Sequence, residues 1–321
     1  MESRNVANTV WALATLGWQA GDGAMRCALE AAAVRVAPSM NAQNVANTVW
    51  ALATLGWQAG DGAMRCALEA AAVRVAPSMN AQNVANALWA LATLGWQAAD
   101  GAMRCALEAA AVRVAPSMNA QDVANTLWAL ATLGWKASIE VAAVFEQLVG
   151  ALATESLRMQ LSTLDLSQLL QAHLASQFLG LELVALPSSM LQAAVQAYRK
   201  EARKVTVSNG QREVGESLCR LGIPHELEYI TADGLFSIDI AIVDRRTALE
   251  FDGPSHFTRI TPEPLGHTRL RDRLLSAMGW HVVSIPFFEW NRLHQPEQRD
   301  AYVNQRLSDS QHPTNPNSQE M

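Results

Sequence analysis

Short polar side chains recur at fixed positions through the first part of the chain, and their types suit hydrogen bonding to nucleobases. Asn44, Asn47 and Thr48 lie three and four residues apart, so a helix would place them on one side. An amide presents a donor and an acceptor together. In helical-repeat proteins that read single-stranded RNA, two or three such side chains of each repeat contact one base. The candidate reading positions of successive units are Asn44, Asn47 and Thr48; Asn83 and Asn86, followed by Ala87; and Asp122, Asn125 and Thr126.

The same stripe has a second interpretation, in which it is only the polar side of an amphipathic helix. An Asn near the start of a helix is also a common capping residue. Periodicity does not separate the two interpretations, and both stay open. If the positions do read bases, their near identity predicts the same base at each step. Four units would then cover only about four nucleotides.

The polar positions recur because the chain repeats itself. Residues 5–43 and 44–82 are the same 39 letters, residues 83–121 carry three substitutions, and residues 122–135 begin a fourth copy. A fixed period near 40 is typical of an α-solenoid, in which each unit buries its apolar face against its neighbours. Met1 falls at the first turn of a repeat, so we expect either a fragment or a first helix that packs against something else.

Each unit is predicted to be a helical hairpin. Val45, Val49 and Leu52 share one side of a first helix that Gly56 ends. Asp61 is the predicted N-cap of a second helix. Apolar stripes through Met64, Leu68, Ala71 and Val75, and through Cys66, Ala70 and Val73, predict that this second helix is packed on two sides.

Three of the four cysteines (Cys27, Cys66 and Cys105) occupy one repeat position, and Cys219 stands alone. Their spacing does not match a metal site, so we expect the repeat cysteines to be small core residues. The chain has no apolar run of about 20 residues, so we expect no membrane span. Its first residues show neither a signal peptide nor an Arg/Ser-rich transit peptide.

The hydrophobic period changes along the chain, which predicts several regions. In the C-terminal region the order is helix, three strands, helix, strand and helix, an α/β sandwich. The predicted regions are near-identical helical repeats at 1–136, degenerate helical repeats that close the solenoid at 137–205, a small α/β domain at 211–307, and a disordered tail at 308–321.

Arginines in the C-terminal region are candidate phosphate contacts. The net charge of −6 argues against a generally basic nucleic-acid coat, so local arginines must supply any such contact. Guanidinium groups suit phosphate oxygens. The candidates are Arg245 and Arg246 in a turn between strands, Arg259 in a loop, and Arg269 and Arg273 one turn apart on a helix. The alternative is that the helix is simply solvated.

The C-terminal region resembles the RAP domain, a family associated with RNA binding. The resemblance is carried by LEFDGPSHF at 249–257 and by LGHTRLRDRLLSAMGWHVVSIPFFEWNRL at 265–293. The repeats resemble the helical repeats that accompany RAP domains in the octotricopeptide repeat proteins and in the Fas-activated serine/threonine kinase family. The resemblance implies a mitochondrial or chloroplast protein that binds single-stranded RNA. It also implies a part in RNA processing, including rRNA processing, in RNA stability or in translation.

The strand order also resembles the restriction-endonuclease-like fold, which implies a second class of function, a Mg²⁺-dependent endonuclease. By that resemblance Asp239 and Glu250 would hold the metal. Asp252 stands where that fold has a lysine, and His256 could replace it as a general base. A third class is a solenoid that binds proteins without nucleic acid.

Overall fold

The computed structural model of the chain describes residues 2–18, 23–57, 62–96, 101–154, 160–203, 206–259 and 262–311. The chain divides into two compact units. The first unit is Met1–Tyr198 with His256–Arg271, and the second unit is Arg199–Ser255 with Asp272–Met321. The short segment at 256–271 therefore belongs with the repeats, although it lies far from them in sequence.

The repeats form the predicted helical hairpins. The helices up to residue 202 are α1 (Ser3–Thr15), α2 (Gly23–Val36), α3 (Ala42–Leu55), α4 (Ala63–Val75), α5 (Ala81–Leu94), α6 (Ala102–Val114), α7 (Ala120–Leu133), α8 (Ile139–Leu152), α9 (Thr163–Leu179) and α10 (Ser188–Ala202). The first helices of the hairpins contact one another in the order α1, α3, α5, α7, α9, and the second helices in the order α2, α4, α6, α8. The array is an α-solenoid, as the period predicts.

The ends of the first helices follow from their sequence. Asn80 caps α5, because its side chain accepts a hydrogen bond from the backbone N–H of Asn83 at 2.8 Å. At the other end of the helices, Gly56 adopts a left-handed conformation with φ 66° and ends α3, which confirms the predicted stop. The predicted cap Asp61 lies outside the described residues.

Burial confirms the apolar pattern predicted for the first helix of each hairpin and contradicts part of the pattern predicted for the second helix. Val45, Val49 and Leu52 are buried, and so are Met64 and the rest of its stripe. The prediction that the repeat cysteines are core residues is wrong, since Cys27, Cys66 and Cys105 are free and exposed. In α4 the buried residues are the Met64 stripe and Ala72, whereas Cys66 and Ala70 are exposed. Cys219 is exposed too.

Arginines of the second helices connect neighbouring repeats. The guanidinium of Arg74 donates to the backbone carbonyls of Ala37 at 3.2 Å and Met40 at 2.6 Å, in the preceding repeat. Arg113 makes the same contacts one repeat later, with the carbonyls of Ala76 and Met79. These charged hydrogen bonds join consecutive units at equivalent positions.

The C-terminal region has the predicted order of elements, with one further short helix. Its elements are α11 (Asn209–Arg220), β1 (Glu226–Ile230), β2 (Ser237–Ile242), β3 (Thr247–Asp252), α12 (Gly266–Ala277), β4 (His281–Pro286), α13 (Phe287–Trp290) and α14 (Pro296–Gln311). The sheet order is β1-β2-β3-β4, with β3 and β4 parallel and the other pairs antiparallel. Helix α14 runs past residue 308, where we expected the tail to begin; residues 312–321 lie outside the described ranges.

One face of the sheet carries the core of the second unit. Ile240 of β2, Leu249 of β3 and Ile285 of β4 pack with Val214 of α11 and Val303 of α14. The residues that alternate with them along the strands point to the opposite face. Within the described ranges, no helix is both long enough and apolar enough to cross a bilayer.

Candidate nucleic-acid interface

The first helices of the repeats line an open groove of about 690 Å³. Its lining includes three rows in which each residue recurs every 39 positions. The rows are Gln43, Gln82 and Gln121; Asn47, Asn86 and Asn125; and Trp11, Trp50 and Trp89. Amides and indoles thus alternate over one continuous surface of the first unit.

Helix geometry explains why these residues share a surface. Gln43, Asn47, Trp50 and Thr54 are separated by four, three and four residues, so they lie on one face of α3. The apolar residues of α3 occupy the other side and fix the helix in the array. Amide groups can hydrogen-bond to base edges, and indole rings can stack on bases of any sequence.

The first position of the predicted stripe lies in the first turn of each helix, where its backbone N–H binds the capping asparagine. The N–H groups of Asn44 and Asp122 donate to the side chains of Asn41 and Asn119 at 2.9 and 2.8 Å. Asp122 also accepts from the Asn119 N–H at 3.2 Å. Asn83 caps α5 in the same way, and all three side chains are buried. The capping interpretation therefore explains the Asn83 and Asp122 side chains, whereas the Asn44 side chain donates to the Ser3 hydroxyl at 3.5 Å.

The third position of the stripe is not accessible. Thr48 is 1% exposed and Thr126 is 0% exposed, and Ala87 is buried at the equivalent place. The expectation that these two hydroxyls contact a base does not hold in this structure, because both lie inside the array. Of the predicted stripe, only Asn47, Asn86 and Asn125 reach the groove partly exposed.

The groove ends at the fourth repeat, where α9 occupies the equivalent positions. The Asn125 side-chain oxygen accepts a hydrogen bond from Gln168 Nε2 at 3.0 Å. Trp128 Nε1 donates to the Gln171 side-chain oxygen at 2.8 Å, and Gln171 Nε2 donates to the Tyr198 hydroxyl at 3.2 Å. The indole of Trp128 is 6% exposed, whereas that of Trp11 is 45% exposed.

Sequence reasoning missed two of the three rows. Trp50 could be placed only at the border between the polar and apolar sides, and Gln43 only near the start of the helix. The signal that identifies them is the spacing Gln43, Asn47, Trp50, which repeats the i, i+4, i+7 pattern already used for the apolar side. A tryptophan is more often assigned to a core, which hides this signal.

The predicted metal ligands share one face of the sheet. Ile240 pairs with Leu249, so continuing the register by one residue puts Asp239 opposite Glu250. Asp252 follows Glu250 by two residues and lies on the same face. The Asp239 carboxylate accepts from the Phe251 N–H at 2.8 Å, and the Asp252 carboxylate accepts from the Ser284 hydroxyl.

This arrangement does not fit a Mg²⁺ site. Among the described residues, no group of three or more His, Cys, Asp or Glu side chains could hold a metal ion. Magnesium usually keeps several waters, which need room around its carboxylate ligands. Glu250 is only 4% exposed, and Asp239 is engaged with a backbone amide. His256 belongs to the first unit, where its Nδ1 lies 3.4 Å from the Thr268 hydroxyl.

Two of the candidate arginines in the second unit, Arg246 and Arg273, are bound or partly covered by the protein itself. The Arg246 guanidinium donates to the carbonyls of Gly279 at 3.0 Å and Met278 at 2.9 Å. It also lies 5.3 Å from the centre of the Trp280 ring. Arg273 is half-buried, and this burial lowers the pKa of its guanidinium. Arg245 is exposed at the turn between β2 and β3.

The other two candidate arginines lie in the first unit, against the repeats. The Arg269 Nε donates to the Pro264 carbonyl at 2.9 Å, which holds the guanidinium beside Gly95. The backbone N–H of Arg259 donates to the Gly56 carbonyl at 2.9 Å, and its side chain is exposed. These two arginines therefore contact the C-terminal ends of α3 and α5, whose side faces line the groove.

Comparison with known proteins identifies the C-terminal region. Residues 249–306 match the RAP domain family. They form a RAP domain. A RAP domain-containing chloroplastic protein of Oryza sativa subsp. japonica is 36% identical over 149 residues, which cover 44% of this chain and 23% of that protein. The chain thus matches less than a quarter of the length of that relative.

The RAP domain includes some of the candidate residues and excludes others. It begins in β3 and ends in α14, so Glu250, Asp252 and His256 lie inside it, as do Arg259, Arg269 and Arg273. Asp239, Arg245 and Arg246 precede it. A metal pair of Asp239 and Glu250 would therefore need a residue from outside the matched domain.

Proposed function

We propose that this chain is an organellar RNA-associated protein that binds single-stranded RNA along the groove of its repeats. The observation that carries the proposal is the set of amide and indole rows, which recurs every 39 residues on one open face. The RAP domain and the chloroplastic relative support an organellar setting. Through this grip the protein would influence RNA processing, stability or translation in the chloroplast or mitochondrion.

The groove favours contacts with bases over contacts with phosphates. Its lining contains amides and indoles, and among the described lining residues the buried Asp122 alone is charged. The arginines of the nearby second helices are engaged elsewhere: Arg74 and Arg113 bind backbone carbonyls, and Arg104 pairs with Glu108. A strand held by stacking and amide hydrogen bonds should show a shallower dependence on salt than one held by many phosphate contacts.

The residues that would contact the bases lie in the second and third repeats. Asn47 and Asn86, with Trp50 and Trp89 beside them, face the open part of the groove, whereas the positions of the fourth repeat are filled from within the chain. Because the two open repeats present the same side chains, they should prefer the same base. Short homopolymers are therefore the appropriate first ligands.

The test is a double variant, Asn47→Ala with Asn86→Ala, measured by fluorescence anisotropy with labelled single-stranded homopolymers. Removing two amide contacts should lower the affinity for the preferred homopolymer by about tenfold or more, since each hydrogen bond contributes roughly 1 kcal/mol. A matched control is Cys66→Ser with Cys105→Ser, two exposed positions on the second helices, which should bind like the wild type. Unchanged binding by the asparagine variant would exclude the groove as the reading surface.

Neither alternative class is favoured by an observation of this structure. Metal-dependent cleavage has no fitting ligand set among the described residues. A solenoid that binds only proteins would retain no homopolymer at low salt. The same anisotropy measurement therefore separates that class from ours.

A further inference from the structure

We infer that the middle of the RAP domain is a docking element that grips three consecutive repeats and fixes their spacing. This element, hereafter the strap, consists of residues 256–259 and 262–271. The surface that it grips, hereafter the turn face, consists of the C-terminal ends of α3, α5 and α7. Only the consequence for RNA rests on the proposed function.

The strap is an ordered piece of structure in its own right. The Leu265 N–H donates to the His256 carbonyl at 2.8 Å, and the Thr258 N–H donates to the Glu263 carbonyl at 2.9 Å. Phe257 and Pro264 form an antiparallel bridge between these two bonds. Phe257 and Thr258 are buried. The strap therefore presents a defined shape to the repeats.

The first contact is between backbones, at the end of α3. The Arg259 N–H donates to the carbonyl of Gly56 at 2.9 Å. A Cβ atom added to Gly56 would lie 3.3 Å from the Arg259 side chain, so the two chains approach closely. Because the bond uses main-chain atoms, it depends on where the strap lies and not on the side chain at position 259.

The second contact requires a glycine in the strap. A Cβ atom added to Gly266 would lie 1.9 Å from the carbonyl oxygen of Ala92 in α5 and 2.7 Å from the methyl group of Thr132 in α7. Real Cβ atoms do not come so close to a backbone oxygen, so only glycine fits at this position. The strap thus touches the second and third helices at one point.

The third contact is made by Arg269 at Gly95, the residue that ends α5. A Cβ atom added to Gly95 would lie 3.1 Å from the guanidinium carbon. The hydrogen bond from Arg269 to Pro264 orients the guanidinium from within the strap. Arg269 therefore acts in docking through its side chain, which gives its guanidinium a role other than the predicted phosphate contact, whereas residue 259 acts through its backbone.

These contacts have a consequence for the groove. Thr132, which packs on Gly266, is the repeat equivalent of Thr54, which lines the groove. One segment thus holds the ends of the three helices whose faces carry Asn47, Asn86 and Asn125. A fixed spacing between those helices pre-organises the amide and tryptophan rows of the groove, which lowers the conformational cost of binding single-stranded RNA.

The test compares two Gly→Ala variants of the full chain. Neither Gly266 nor Gly253 has a positive φ, so alanine adds no backbone strain at either. Gly253 faces open space, whereas Gly266 faces Ala92. In Gly266→Ala, hydrogen exchange at the Arg259 and Leu265 amides should become roughly tenfold faster or more, because local opening controls exchange. Gly253→Ala should exchange like the wild type.

Unchanged exchange at the Arg259 amide in Gly266→Ala would overturn the docking inference. If Gly266→Ala does not fold, Arg269→Ala replaces it, with Arg245→Ala as the matched control in the second unit. Faster exchange at the Arg259 amide in Arg269→Ala alone supports docking, and equal exchange in both arginine variants refutes it.

The RNA measurement is kept apart from the exchange measurement. If the wild type binds a homopolymer, Gly266→Ala should weaken binding severalfold while Gly253→Ala leaves it unchanged. Equal binding by both variants would refute the positioning effect. If the wild type binds no RNA, the proposed function fails, and the exchange result still decides whether the strap docks.

Discussion

The two halves of the groove contain the same residues in different surroundings. In α3 and α5 the pairs Asn47–Trp50 and Asn86–Trp89 line open space. In α7 the Asn125 and Trp128 side chains bind Gln168 and Gln171 of α9. A repeat position is therefore not a functional position by itself. What a side chain can do is decided by the unit packed next to it, which in a solenoid is always the neighbour in sequence.

The largest expected effect comes from the indoles of the open half. Trp50→Ala with Trp89→Ala removes two stacking platforms, each worth roughly 1–3 kcal/mol of binding, so affinity for single-stranded RNA should fall by about 30-fold or more. Both side chains are only partly buried, and the fold should persist by circular dichroism. Anisotropy with the preferred homopolymer measures the loss. A loss smaller than about twofold would leave the open half without a role in binding.

A smaller effect, on stability and not on RNA binding, is expected in the half of the groove where α7 packs against α9. Asn125→Ala removes the acceptor for Gln168 Nε2, so the free energy of unfolding should fall by about 1 kcal/mol in urea titrations. RNA affinity should stay nearly unchanged, since this asparagine is engaged within the chain. If Asn125→Ala weakens RNA binding as much as Asn47→Ala does, the distinction between the two halves is wrong.

The smallest effect concerns the cap of α7. Burial raises the pKa of the Asp122 carboxyl above its ordinary value of 3.8. The folded state therefore holds the proton more tightly than the unfolded state, and stability falls as the pH rises from 3.8 through the raised pKa. Asp122→Asn places at this site the residue that Asn44 and Asn83 provide in other repeats. The variant should melt at a higher temperature than the wild type at pH 7.

This difference in melting temperature should shrink as the pH falls towards 3.8, because both chains then carry an uncharged side chain at position 122. Asn83→Ser serves as a control, since it changes an equivalent cap without a titrating group. A difference between Asp122→Asn and the wild type that does not vary with pH would contradict the assignment to burial of the carboxylate.

Periodicity predicted the repeat architecture well, for physical reasons. A helical hairpin cannot bury its apolar face alone, so an identical copy every 39 residues requires stacked neighbours. The end of α3 at Gly56 could also be predicted from the sequence, because a residue that ends a helix in the left-handed conformation is usually glycine. The cysteines were misplaced because a second apolar stripe in an Ala-rich helix does not show whether a neighbour covers it.

Only part of the candidate site could be predicted from the sequence. Asn47, Asn86 and Asn125 follow from the polar stripe, but burial of Thr48 depends on how closely adjacent helices approach. The sequence predicted degenerate helical repeats that close the solenoid at 137–205, but not the contact of Gln168 with Asn125. The apolar spacing of a helix does not report which polar side chains of adjacent helices meet. The strap contact between Gly56 and Arg259 joins residues far apart in the chain, and no local pattern reports such a pairing.

The contacts of Arg74 and Arg113 have a consequence for how such a protein can change in length. Each guanidinium holds the backbone of the preceding unit, and the residues on both sides of the joint are the same at each step. A tandem copy made at the DNA level would insert a unit whose two ends already match its new neighbours. The array of repeats can therefore lengthen by whole units of 39 residues while the joints between units stay the same.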